Sequence, residues 1–230
     1  MLEALRSEVL EANLELVRRG LVIYTFGNAS GVSRREGLVV IKPSGVPYEK
    51  MKPADMVVTD LEGRIVEGSL KPSTDLATHI ALYRAFPSIG GVAHTHSRHA
   101  TAWAQARRAI PCFGTTHADY FHGPVPVTDA LTPAEIDGDY EANTGVAILR
   151  LLEGHDPLGC PGCLVAGHAP FCWGKSVTDA AHHAVIVEEL AAMAWQTMTI
   201  NPQATPISEA LHNKHYFRKH GPKATYGQKA

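Results

Sequence analysis

The chain has 230 residues, 45% hydrophobic and 19% charged, with a net charge of −2 from acids and bases spread along its whole length. That balance argues against an electrostatic nucleic-acid binder or a grip on an anionic membrane, and no apolar stretch reaches the roughly 18 residues of a membrane span. A chain this long buries roughly 70–75% of its unfolded surface without disulfide staples. Its N-terminal segment mixes charged and apolar residues in helical rhythm and is no signal peptide, so the cytoplasm is the expected compartment.

Leu2, Leu5, Val9, Ala12, Leu16 and Val17 recur at helical spacing, and Gly20 supplies a C-cap. Residues 21–23 and 38–41 read as strands flanking a turn at 34–37, and 56–59 as a third strand with 64–66 as its hairpin mate. Residues 75–86 read as a helix with Thr74 or Asp75 near its N-cap, 89–96 as a strand, and 97–107 as a helix capped by Ser97. A loop-rich stretch through Thr115, Asp119 and Pro126 leads to a short helix after Thr132, with Pro133 at its first position. Residues 145–152 fit helix or strand. Residues 163–166 are a strand, and Ser176 opens a long helix to about Met198, with Asp179 completing a capping box. Residues 208–230 form a polar, basic, histidine-rich tail. No internal repeat or linker interrupts this interleaving, which indicates one α/β domain over residues 1–230.

The four cysteines are Cys112, Cys160, Cys163 and Cys172. Cys160 and Cys163 have CxxC spacing, but no second CxxC follows and the pair opens no helix. They read as a turn into a strand with reduced thiols.

Histidine carries more information. His94-Thr95-His96 ends the apolar run 89–93, and residues two apart on a strand share a face. Two imidazoles converging on one point suit a zinc ion, whereas a structural histidine is expected singly. A third ligand must come from elsewhere. His99 would sit on the following helix, beside the cation Arg98. His168 follows the strand at 163–166 through Gly167 and can complete a three-nitrogen set with an open position for substrate. Taken alone, His168 would read as a surface loop residue.

These residues belong to a larger pattern. His94-Thr-His96-Ser-Arg-His, Lys71-Pro-Ser-Thr-Asp75, Gly27-Asn28-Ala-Ser30, Lys42-Pro-Ser44-Gly45 and Gly114-Thr-Thr-His117-Ala-Asp119-Tyr120 together resemble the class II aldolase/epimerase/adducin-head family. The tetrapeptides are weak signals one by one. Their order and spacing, from the first helix to Tyr226-Gly227-Gln228, make the set specific across essentially the whole chain. The resemblance implies a single domain with a central, mainly antiparallel β-sheet flanked by helices on both faces. It implies zinc, or another divalent ion, on His94, His96 and His168 with Asp75 beside it. It also implies a sugar-phosphate substrate whose phosphate lies on Asn28, Lys42, Ser44, Gly45, Ser73 and Thr74. A cation, hydroxyls and a helix start suit that dianion, although each residue alone could be a turn residue. Thr74 departs from the serine of the epimerases but keeps the hydroxyl.

The likeness is strongest to members that interconvert L-ribulose 5-phosphate and D-xylulose 5-phosphate. C4 carries no acidic proton, so the implied route is retro-aldol. The C3–C4 bond opens beside zinc, which stabilises an enediolate. Glycolaldehyde phosphate then turns and re-adds through its other face. Asp119 and Tyr226 are the implied proton-handling groups, with His215 and Arg218 in support; without the resemblance, Asp119 is a loop residue and Tyr226 a tail aromatic. The family's assembly implies a homotetramer with active sites between subunits, to which the segment at about 208–230 contributes. A class II aldolase that releases both fragments is the alternative, and it carries Glu where Asp75 stands. A non-catalytic adducin-like interaction domain is a remote third. The sequence leaves open whether arabinose or ascorbate supplies the substrate.

Overall fold

The computed structural model describes residues 2–220, 224 and 225. Helix α1 (Glu3–Arg18) turns Val9, Ala12 and Leu16 inward at helical spacing, and Gly20 follows with φ 70°, a conformation glycine adopts without steric cost. The chain then builds β1 (Gly27–Ser33), β2 (Leu38–Ile41), β3 (Val57–Asp60), β4 (Ile65–Glu67), β5 (Gly91–Thr95), β6 (Gly162–Leu164) and β7 (Pro170–Gly174). They form a seven-stranded sheet in the order β4-β3-β2-β1-β5-β7-β6, with every neighbouring pair antiparallel. The remaining helices are α2 (Leu76–Ala85), α3 (Arg98–Gln105), α4 (Thr115–Ala118), α5 (Pro133–Asp137), α6 (Tyr140–Leu151), α7 (Val177–Ile200) and α8 (Glu209–Lys219).

Both faces of the sheet are covered, and the strand residues sort between them with the period of two that a pleated strand imposes. Val40, Val58, Ala93 and Cys172 join one core with α1, α3 and α7. Val39, Ile41, Val57, Val92, Phe171 and Trp173 join a second core, to which α2 contributes Leu76, Ile80 and Tyr83 and α6 contributes Ile148. His94 lies two residues beyond Val92, so its ring points to the α2–α6 side and stacks on Phe171 at 4.1 Å. The α7 side demands glycine. A Cβ on Gly91 would lie 2.3 Å from Val177 Cα, so only a bare backbone lets β5 pass beneath the start of α7. That start carries the anticipated capping box, in which Ser176 and Asp179 satisfy each other's backbone N–H. No helix among the described residues is long and apolar enough to cross a membrane.

Several elements differ from the sequence reading. Residues 21–23 are not a strand. They run into a tight turn closed by an Ile23–Phe26 bridge, with Tyr24 at φ 53°. The strand in that region is β1, whose Gly, Asn, Ala and Ser residues hid it. Small residues are needed there because a Cβ on Gly31 would sit 2.8 Å from Leu5 Cδ1 of α1. Residues 145–151 are helical, as part of α6, and β7 is an additional strand, with Pro170 at its first position, where proline costs no central ladder bond. The segment from Ser208 contains α8, whose N-terminus is capped by the Ser208 side chain.

Candidate active site

The open end of β5 and the turn before β7 put three imidazoles together. His94 Nε2 lies 3.1 Å from His96 Nε2, and one ring nitrogen from each of His94, His96 and His168 falls within 4.8 Å of the others. Two backbone devices help to support this cluster. His94 Nδ1–H donates to Pro170 O at 2.9 Å, which leaves Nε2 as a lone-pair donor. His168 closes a turn in which its N–H donates to Val165 O at 2.9 Å and Gly167 takes φ 73°. The Gly167 N–H is tied to Ala104 O at 2.8 Å, anchoring the turn to the end of α3.

The donor set fits a divalent ion. Zn–N bonds of about 2.0–2.1 Å in a tetrahedron put neighbouring ligand nitrogens about 3.3 Å apart, close to the separation of the two facing Nε2 atoms. Burial pushes His94 down to about 3 and lowers His96 and His168 as well, so all three stay neutral, as metal ligands must be. Asp75 stands at the N-terminus of α2. Its Oδ2 accepts from Asn28 Nδ2 at 2.6 Å and from Ser73 Oγ at 3.4 Å. Burial alone would raise its pKa. The neighbouring His94 and His79 rings and the Asn28 amide outweigh burial and hold the carboxyl below its usual range.

The histidines line a cleft of about 450 Å³ whose wall also includes Asn28, Lys42, Ser44, Gly45, Ser73 and Thr74. Two loops make most of that wall, with Asn28 coming from β1. Ser44 N–H donates to Lys71 O at 2.9 Å and Ser73 N–H to Lys42 O at 3.0 Å, so the loop after β2 and the loop before α2 are pinned to one another. Gly45 sits at φ 68°, where a side chain would be strained. Lys42 is buried, with Nζ 4.8 Å from the centre of the Tyr48 ring. Burial brings its ammonium down to about 8. A cation, hydroxyls, an amide and the N-terminus of α2 thus face one space, an arrangement that suits an anion such as a phosphate ester.

The structure also brings in residues that the sequence did not reveal. Tyr140 and Glu141, at the first turn of α6, line the cleft, as do Thr25 and Phe26 of the tight turn. Asp139 announces the start of that helix by capping Ala142 N–H, but the helix itself was ambiguous in sequence. Burial raises the pKa of the Tyr140 phenol, keeping it protonated. Glu188 of α7 was likewise missed. Its carboxylate accepts from His99 N–H and Ala100 N–H at 2.9 Å each, capping α3 immediately after the His94–His96 pair. That carboxylate does the work expected of the Ser97 side chain, which makes no cap bond to α3. The sequence offers no local signal for a cap supplied from 89 residues away.

Asp119, His215 and Arg218 lie elsewhere. Asp119 ends α4 and accepts from His215 Nδ1 at 3.1 Å and from Arg218 at 3.0 Å, both on α8, and it is not among the residues lining the cleft of its own chain. Burial opposes ionisation of Asp119, yet bonds from Arg218, His215 and Lys219 keep its pKa below the usual carboxylate range. Tyr226 falls outside the described residues.

Comparison with known proteins gives this site its relatives. Residues 7–195 match the family described as class II aldolase and adducin N-terminal domain. The chain belongs to that family. L-ribulose-5-phosphate 4-epimerase UlaF of Salmonella paratyphi C (strain RKS4594) is 57% identical over 228 residues, covering 99% of this chain and 100% of the relative. The protein of the same name from Salmonella typhi matches to the same extent. Among solved structures, an L-fuculose 1-phosphate aldolase superposes with a TM-score of 0.80 at 23% identity, covering 94% of this chain and 95% of that one. YgbL, a putative aldolase/epimerase/decarboxylase from Klebsiella pneumoniae, superposes at 0.73 and 23% identity over 93% of this chain and 99% of its own. These likenesses show the class II aldolase fold. The family match stops before α8, whereas the Salmonella relatives align over almost the whole chain, Asp119 and α8 within it.

Proposed function

We propose that this chain is a zinc-dependent epimerase that interconverts L-ribulose 5-phosphate and D-xylulose 5-phosphate by opening and re-forming the C3–C4 bond. The observation that carries the reading is the meeting, in one cleft, of three neutral imidazoles with an anion-binding wall built around Lys42. The full-length likeness at 57% identity to proteins named L-ribulose-5-phosphate 4-epimerase supports the choice of substrate.

On this reading the sugar's phosphate lies on Lys42, Ser44, Gly45, Ser73, Thr74 and Asn28, and its ketose end lies against the histidines. An ion held by His94, His96 and His168 would supply Lewis acidity at the C2 carbonyl and C3 hydroxyl oxygens. The residues themselves hold the phosphate still while the two-carbon aldehyde turns about it, exclude bulk water, and keep the fragments together. The Asn28 amide holds the Asp75 carboxylate, and Asp, about one C–C bond shorter than the Glu that stands here in the aldolases, leaves the three-carbon fragment unprotonated. Asp119 and Tyr226 take and return the proton at the C4 oxygen on opposite faces. Asp119 stands with α8 outside its own chain's cleft, so on this reading a neighbouring subunit of a homotetramer supplies it, and the segment at about 208–230 contributes to the subunit interface and the shared site. The enzyme works in the cytoplasm, on pentulose phosphate derived from arabinose or ascorbate.

The second reading, a class II aldolase, is favoured by the fold likeness to L-fuculose 1-phosphate aldolase and opposed by Asp75. One NMR assay on zinc-loaded protein with L-ribulose 5-phosphate separates them. The epimerase yields D-xylulose 5-phosphate without free fragments, and Asp75→Glu begins to release glycolaldehyde phosphate. Free fragments from the unaltered protein would overturn the proposal in favour of the aldolase.

A further inference from the structure

The three imidazoles are not supported alike. Backbone fixes His94 through Pro170 O. His168 has a side-chain partner instead, with Nδ1 3.3 Å from Tyr140 Oη. We propose that Tyr140 is a positioning residue for the metal, holding His168 with Nε2 turned toward the point the other two histidines face; this rests on the three-histidine site described above.

The direction of the bond follows from the chemistry. A neutral imidazole with one nitrogen on an ion carries its proton on the other. With Nδ1 engaged by Tyr140, Nε2 is the nitrogen left for the ion, so Nδ1–H donates and the phenol oxygen accepts. His168 needs such a partner more than His94 does. It sits on a turn shaped by a glycine at φ 73°, and its ring lies 6.2 Å from Phe171, against 4.1 Å for His94. Tyr140 is placed firmly enough to serve. It opens α6, whose first turn is capped by Asp139, and the Glu141 carbonyl beside it accepts from Thr78 Oγ1 at 2.6 Å, tying the helix start to α2. The phenol therefore links the ligand turn to the two helices that wall the cleft. Partners of this kind typically change metal affinity by about 10–100-fold when lost.

The test measures metal affinity, not turnover. Tyr140→Phe keeps the ring and removes only the acceptor. Competition between the purified protein and a chromophoric chelator for zinc, with cobalt absorption as a second readout, is expected to show affinity weakened about 10–100-fold, with the cobalt bands shifted. Activity is expected to return once metal is supplied in excess, since the phenol acts through His168. Asp139→Ala loosens the same helix start but leaves the phenol; it is expected to hold zinc within about twofold of the unaltered protein. Unchanged zinc affinity in Tyr140→Phe would overturn the proposal, as would an equal loss in Asp139→Ala. Because the readout is zinc held by resting protein, it stands or falls apart from the identity of the substrate.

Discussion

Burial holds the Lys42 ammonium at about 8, well below that of a lysine in water, and no carboxylate among the described residues is bonded to it. The free protein therefore carries the charge below that pH and loses it above. A phosphate dianion bound beside Nζ favours the charged form and pulls the pKa back up. The sign is then fixed: kcat/KM is flat through neutrality and falls about tenfold per pH unit above about 8, while kcat, which reports the complex, stays level further into the alkaline range. Steady-state pH profiles check this, and a kcat/KM that stays flat to pH 10 would contradict a Lys42 held at about 8 in the free protein. The same residues show what the sequence could reveal. His94, His96 and His168 were legible because period two and a strand end placed them together. Asn28, Lys42 and Ser73 needed the resemblance, since each is an ordinary turn residue on its own. Tyr140 and Glu188 were not legible because they act across 28 and 89 residues with no local pattern to announce them.

Among the elements, those that declared themselves were set by local chemistry. The capping boxes at Thr132 and Ser176 satisfy helix starts within four residues, and both helices begin where the sequence puts them. β1 failed the same test because its composition answers to its neighbours. It lies between β2 and β5 and beneath α1, where backbone must come close. Close approach of this kind gives a stability prediction on β5. Gly91→Ala drives a methyl into the Val177 backbone at 2.3 Å and cannot be relieved by a rotamer change. Overpacking against main chain costs about 3 kcal/mol or more, read as a lower urea midpoint in equilibrium unfolding. Because β5 carries His94 and His96, zinc affinity is expected to fall with it. A variant as stable as the parent would mean that β5 and α7 can part without cost.

For the whole molecule, one chain gathers the metal-type cluster and the anion wall but leaves Asp119 bound to α8, away from that cleft. If neighbouring copies complete each other's sites, two different inactive chains can rescue one another. On the proposed reading, His94→Asn removes a metal ligand and Asp119→Asn removes a proton-handling group. Hybrid oligomers formed by refolding the two together are then expected to regain a clear fraction of activity, from sites that draw both intact residues from different chains. No recovery in hybrids of verified composition would place the whole reaction within one subunit.

The most direct test of the account is the initial rate of D-xylulose 5-phosphate formation from L-ribulose 5-phosphate, followed by NMR as zinc is added back to metal-free protein. One ion on three histidines per chain predicts no conversion at zero zinc, a linear rise, and a break at one zinc per chain, with no free aldehyde at any point. Full conversion by the metal-free protein would contradict it.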